Sequence, residues 1–162
     1  MSTPRAVIRP IERRDAEALR RMFFRLSPET VYRRFFRPVR EPSARVLEYL
    51  VSVDHDQREA LVAEVDGEIV GVARYDRLRD RPNEAEVAIV VEDAWQHRGL
   101  GHRLMRRLAD AAARAGVEAF TAEVLGGNRA AVDLVRSLAP TADVRFAYGE
   151  VVVRAPLPPA AA

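Results

Sequence analysis

Cysteine is absent from this 162-residue chain, and so is lysine: all 26 basic residues are arginine. The missing thiols exclude disulfides, thiolate metal sites and a cysteine nucleophile, and fit a reducing compartment. Codon bias in a GC-rich genome accounts for the arginines. An apolar run of about 18 residues, the length a membrane helix needs, is also missing, and the opening MSTPRAVIRP carries no apolar targeting segment. We therefore expect a soluble cytoplasmic protein with no membrane partner. Charge of one sign is scarce in the balance: a net +2 is too small to imply nucleic-acid binding. No internal repeat or linker divides the chain, whose length favours one domain able to bury roughly 70% of its unfolded surface.

Taken in order, Ala6 to Arg9 is a short β-prone run. Asp15 can cap a helix bearing Leu19, Met22, Phe23 and Leu26 at i, i+3, i+4 and i+7, and Pro28 ends it. Ser27-Pro28 then begins a second helix with Val31, Phe35 and Phe36 on its apolar face and Arg33, Arg34, Arg37 and Arg40 making it basic. Ser43 caps a third. The Asp54-His55-Asp56 triplet lacks a second ligand cluster, so it reads as a loop and no metal site is expected. Two β-prone runs, Ala60 to Val65 and Ile69 to Tyr75, flank the hairpin signal Asp66-Gly67, and Glu84 to Val91 is a third strand. A helix from Gly99 to about Ala115 follows, closed by Gly116. Then come a strand from Ala119 to Leu125, a helix after Asn128, and a final hairpin, Arg145 to Tyr148 and Val151 to Ala155. This order predicts a mixed α/β (α+β) domain over 1–155 with helices on both faces of its sheet. The tail, Pro156 to Ala162, is expected to be disordered.

The centre of the chain is Ile89 to Arg106, where an apolar strand enters Gln96-His97-Arg98-Gly99-Leu100-Gly101 and opens onto an amphipathic helix. The first N–H groups of a helix lack partners within it, and its dipole places partial positive charge there. Glycines keep side chains out of an anion's way. The stretch is therefore a natural phosphate site.

These residues resemble the GNAT superfamily of N-acetyltransferases, whose pyrophosphate loop reads Gln/Arg-x-x-Gly-x-Gly/Ala. The resemblance covers nearly the whole chain, and Asn128, 27 residues after Gly101, stands at the start of a second helix as the family has it. Leu26 to Phe36 (LSPETVYRRFF), Val65 to Arg77 and Ala85 to Gly101 further resemble the GNAT domains of bacterial Pat-type protein lysine acetyltransferases. Many such relatives fuse this domain to a regulatory or acyl-CoA-synthetase-like domain; here it is expected to stand alone. The resemblance implies a GNAT fold, a largely antiparallel twisted sheet of six or seven strands, with acetyl-CoA as acyl donor. An enzyme that acetylates lysines and contains none offers only its N-terminal amine for self-modification.

A protonated amine cannot attack a thioester, so a base must take its proton. The resemblance places that base at Glu86, ten residues before Gln96. Its apolar neighbours Val87, Ile89, Val90 and Val91 suggest a buried carboxylate with a raised pKa; Glu84 is the substitute. The family's pantetheine arm pairs with backbone groups of Ile89, Val90 and Val91, the Val90 N–H polarising the thioester carbonyl. By the same resemblance, Gln96, His97, Arg98, Gly99, Leu100 and Gly101 are expected to hold the pyrophosphate, and Asn128 to serve both as a helix cap and as a contact for the arm. Trp95 packs beside the loop. One departure stands out: the tyrosine that often protonates the leaving thiolate is replaced by Val135, leaving water or another group such as Tyr148. The leading expectation is acetyl transfer to lysine side chains of a protein acceptor, for which an acyl-CoA synthetase is one possibility. A small-molecule amine as acceptor and a non-catalytic acyl-CoA-binding module are the alternatives.

Overall fold

The computed structural model describes residues 4–160. The elements are β1 (Val7–Pro10), α1 (Ala16–Arg25), α2 (Pro28–Phe35), α3 (Ala44–Val51), β2 (Arg58–Val65), β3 (Glu68–Arg77), β4 (Glu84–Val91), α4 (Leu100–Arg114), β5 (Ala119–Leu125), α5 (Arg129–Leu138), β6 (Asp143–Ala147) and β7 (Glu150–Pro156). They follow the order expected from the sequence. Seven strands form one sheet in the order β1-β2-β3-β4-β5-β7-β6. All neighbours are antiparallel except β4 and β5, which run parallel.

Local chemistry sets the boundaries. Ser27 caps α2 by accepting the Thr30 N–H at 3.1 Å, and Ser43 caps α3 by accepting that of Val46 at 3.1 Å. Asp15 does not cap α1 through its side chain. Its buried carboxylate instead accepts the Glu12 N–H at 2.7 Å and a two-pronged contact from Arg9 at 2.8 Å. Asp66 and Gly67, at φ 50 and 80, make the β2–β3 hairpin turn.

Strand alternation divides the core between two faces. On one, Leu104, Leu108 and Ala112 of α4 are wholly buried against Leu61, Ala63, Ala73 and Tyr75, and Phe120 continues this layer. Each such leucine contributes about 1.5–3 kcal/mol through burial. Farther along β5, α5 covers Val124 together with Val151 and Val153. On the other face, Leu19, Met22, Leu47 and Val51 of α1 and α3 pack against Ala60, Val62 and Val72. Helices on both faces thus follow directly from the pattern. The expected tail disorder does not hold at its start: Pro156 belongs to β7, and Leu157 donates its N–H to Glu118 O at 2.8 Å and packs against the α4 layer. A half-buried apolar side chain holds this part of the tail to the domain. Ala161 and Ala162, like Met1 and its amine, lie outside the described residues.

Candidate active site

The parallel pair makes the site. β4 and β5 are in register only at Glu84↔Ala119, Ala85↔Phe120 and Glu86↔Thr121. Beyond those pairs the strands diverge, so Val87–Val91 keeps β3 on one side, through Ala73↔Ile89, Val72↔Val90 and Gly71↔Val91, and loses its neighbour on the other. A strand edge without a ladder partner presents N–H and C=O groups that call for one. The opening is a cavity of about 590 Å³, lined among others by Glu86, Ile89, Met105, Phe120, Asn128, Leu134 and Val135, with Arg33, Arg34 and Phe36 at its α2 side.

Glu86 stands where the two strands part, but it is exposed, contrary to the burial expected for it. Alternation is the reason: Val87, Ile89 and Val91 join the α4 layer, whereas Glu86, Ala88 and Val90 face the α1–α3 side. Glu84, the substitute, shares that face but is buried, with its carboxylate accepting Arg154 Nε at 2.6 Å and lying 3.2 Å from Arg81 Nη1. It is absent from the cavity lining.

Past β4, Gly99 takes φ 81 and caps α4 with no side-chain hydrogen bond, and the first turn of that helix carries no acidic residue. The N–H groups of Leu100, Gly101 and His102 therefore have no acceptor within the helix. His97 also lies in the left-handed region, at φ 60, and His97, Arg98 and Gly99 are exposed. Arg98 stacks on Trp95 at 5.3 Å, so Trp95 carries the loop's cation and partly packs on the α4 layer. Leu100 is buried and anchors the turn. At Gly101 a side chain would begin 3.6 Å from Ile89 Cδ1 and 3.7 Å from Leu134 Cδ2, which brings β4, α4 and α5 together at one point. The cavity lining takes in Ile89, Asn128 and Leu134 but not Val90, Val91 or the turn. Asn128 Oδ1 caps α5 through the Ala131 N–H at 3.2 Å, leaving its amide nitrogen to donate elsewhere.

Gln96 does more than its position in a loop pattern suggests. Its Nε2 donates to Val91 O at 2.9 Å and to Thr30 Oγ1 at 3.2 Å, while its N–H donates to Asp93 O at 3.2 Å. Asp93 in turn accepts the Ser27 N–H at 2.9 Å, the Ser27 hydroxyl at 2.7 Å and the Thr30 hydroxyl at 2.9 Å. Burial opposes the charge on Asp93, yet these donors outweigh it and hold the carboxyl below its usual value. A polar clamp thus ties the start of α2 to the turn before α4. Ser27 was legible as a cap, but its bonds to Asp93 span 66 residues, and no local pattern marks them. Val135 lines the cavity where the family often has tyrosine, and Tyr148 is fully exposed in the β6–β7 turn, outside the lining.

The model of the acetyltransferase (GNAT) family matches residues 18–139. The chain belongs to the GNAT acetyltransferase family. Among GNAT relatives it is 37% identical over 136 residues to an acetyltransferase of Pseudomonas aeruginosa, covering 82% of this chain and 73% of that protein. It is 35% identical over 154 residues to the acetyltransferase Pat of Mycolicibacterium smegmatis, covering 94% of this chain but 46% of the relative, so the chain spans less than half of Pat's length. The GNAT domain of S. lividans Pat superposes with TM-score 0.87 at 32% identity, over 94% of this chain and 90% of that domain. A phosphinothricin acetyltransferase from Sinorhizobium meliloti, solved with acetyl-CoA, shares the GNAT fold at TM-score 0.76 and 18% identity, over 94% and 88% of the two chains. No helix among the described residues is long and apolar enough to cross a membrane.

Proposed function

We propose that this GNAT domain transfers the acetyl group of acetyl-CoA to an amine by direct attack in a ternary complex, with a protein lysine side chain as acceptor and Glu86 as general base. The observation that carries the reading is the parting of β4 and β5 at Glu86: the unpaired edge, the cavity and the only carboxylate of β4 that lines it coincide. The edge at Ile89, Val90 and Val91 receives the pantetheine amides as an added strand, and one N–H there meets the developing oxyanion. Helix α4 offers its first N–H groups to the pyrophosphate, with Gly99 and Gly101 allowing close approach, Arg98 adding charge and Gln96 holding the turn through Val91 O. Asn128 contributes its free amide nitrogen to the arm.

Glu86, exposed on the α2 side, takes a proton from the acceptor ammonium directly or through water, and the freed nitrogen lone pair attacks the thioester carbon. The C–N bond forms to give the tetrahedral oxyanion, the nitrogen loses its second proton to water, and the collapse of the oxyanion breaks the C–S bond. With Val135 where the family often has tyrosine, the departing thiolate takes its proton from water, consistent with the modest basicity of a thiolate. The Pat-type resemblance of LSPETVYRRFF favours a protein lysine as acceptor. Incubating the protein with acetyl-CoA and a panel of lysine proteins, lysine peptides and small amines tests the reading through release of free CoA. At least one acceptor should release CoA above background hydrolysis. Acetyl-CoA binding with no acceptor turned over would contradict it and favour a binding module.

A further inference from the structure

The face of the sheet that Glu86 shares with α2 carries a second, smaller cavity, of about 60 Å³. That is room for roughly two waters or one carboxylate group. Its lining residues are apolar except for two arginines, Arg34 of α2 and Arg74 of β3. Arg34, Phe35 and Ala88 line both this cavity and the larger one, so the two adjoin. Arg74 is opposite Ala88 across the β3–β4 ladder, and Glu86 lies two residues along the same strand and on the same face. The separation between Ala88 and Glu86 is therefore about 6–7 Å.

Of the two cations, Arg74 is the poorly compensated one, and Arg34 is half-buried beside it. Arg74 is 5% exposed, and its Nη2 is buried without a hydrogen-bond partner. Its Nη1 reaches Leu50 O at 3.3 Å, and its nearest carboxylate, Asp76, is 3.8 Å away and already holds Arg58 at 2.9 Å. Arg34 makes no hydrogen bond or ion pair with a described residue; its guanidinium rests over the Phe35 ring at 4.9 Å. Burial, and then the charge of Arg74, lowers the pKa of Arg34 against the opposing charges of Asp76 and Glu86; burial also lowers that of Arg74, with Asp76 opposing it. The buried, unpaired donor of Arg74 is costly, and the like charge of Arg34 beside the same cavity adds to that cost. An anion seated there would satisfy both.

We infer that Arg34 and Arg74 form a seat for an anionic group of the acceptor, so that the preferred acceptor is an amine bearing a carboxylate a few ångströms from its nucleophilic nitrogen. The inference rests on the acetyl-transfer reading and adds the substrate class. The carboxylate can belong to a free amino acid or to an acidic residue beside a lysine in a polypeptide; both present the same chemistry to the seat.

Matched acceptors test it: free amino acids against their carboxamides, and lysine peptides in which the adjacent residue is Glu or Gln. Release of CoA gives KM and kcat for each, and calorimetry of the same compounds in the presence of CoA reads binding without turnover. Wild type should favour the carboxylate member in at least one arm by about tenfold or more in KM. The arm that shows the preference identifies the source. Arg34→Gln should bring the two members to within about twofold. Arg74→Lys, which keeps the charge but loses the fork, should give an intermediate preference, and a melting curve shows whether it is folded. Equal KM within every pair, or a preference that survives Arg34→Gln, overturns the seat. If carboxylates bind wild type and not Arg34→Gln while no CoA is released, the acetyl-transfer reading fails and the seat stands.

Discussion

The clamp at Asp93 makes a prediction whose size can be worked out. Replacing Asp93 by Ala removes the acceptor for three donors, the Ser27 N–H and the hydroxyls of Ser27 and Thr30, at 2.9, 2.7 and 2.9 Å. Bonds to a charged acceptor are worth about 1.5–3 kcal/mol each when shielded from water. Asp93 is exposed, however, so water can reclaim the donors and screening reduces the whole cluster to about 1–2 kcal/mol. In a domain of this size that lowers the melting temperature by about 2–8 °C. Asp93→Asn, which keeps one carbonyl oxygen, should lose less. The pH dependence has a definite sign. Because the folded carboxyl titrates below its usual value of 3.8, the stabilisation is complete above that value and is lost as pH falls through the folded pKa. Urea unfolding of wild type and Asp93→Ala should therefore show a constant gap from neutral pH down to about pH 4 and a closing gap below it. The clamp also holds the turn through Thr30 and Gln96, so acetyl-CoA should bind the variant more weakly. Unchanged melting together with unchanged affinity would refute the view that α2 braces the turn.

Two further substitutions separate architecture from chemistry. Gly99→Val should weaken acetyl-CoA binding and cost about 1–2 kcal/mol, since its φ of 81 strains any β-branched residue although a Cβ there meets nothing within 4 Å; Gly99→Asn, which tolerates that region, should recover part of both in calorimetry and thermal melts. Glu84→Gln breaks the buried contact to Arg154, itself half exposed, so chemical denaturation should report a loss of about 1–3 kcal/mol. Turnover by the folded fraction should persist, because Glu84 does not line the cavity.

The fold was legible because its elements carry strong local signals. Ser27 and Ser43 cap, Asp66-Gly67 turns, and the 3.6-residue pattern of Leu100, Leu104 and Leu108 marks α4. The Gln96–Gly101 turn was equally plain, since Gly99 adopts the left-handed backbone such a turn requires. Alternation placed Glu84 and Glu86 on one face but could not rank them. The distinction comes from β7, whose Arg154 reaches Glu84 across β5 from 70 residues away. The same alternation, applied to Val87, Ile89 and Val91, accounts for the exposure of Glu86: its apolar sequence neighbours face the other side of the sheet. Only the start of the tail departs from the disorder its proline and alanine content suggests, because Leu157 packs half-buried against the α4 layer. Arg34 and Arg74 belong to α2 and β3, 40 residues apart, and come to one cavity only through packing.

The central claim is that Glu86 deprotonates the acceptor at the mouth of an acyl-CoA cleft it does not itself hold together. Side-by-side measurement of acetyl-CoA affinity and acceptor turnover for wild type and Glu86→Gln tests it most directly. The account predicts an unchanged dissociation constant with turnover reduced by about 10²–10⁴-fold, the usual contribution of a positioned base. Equal turnover in the two proteins would contradict it.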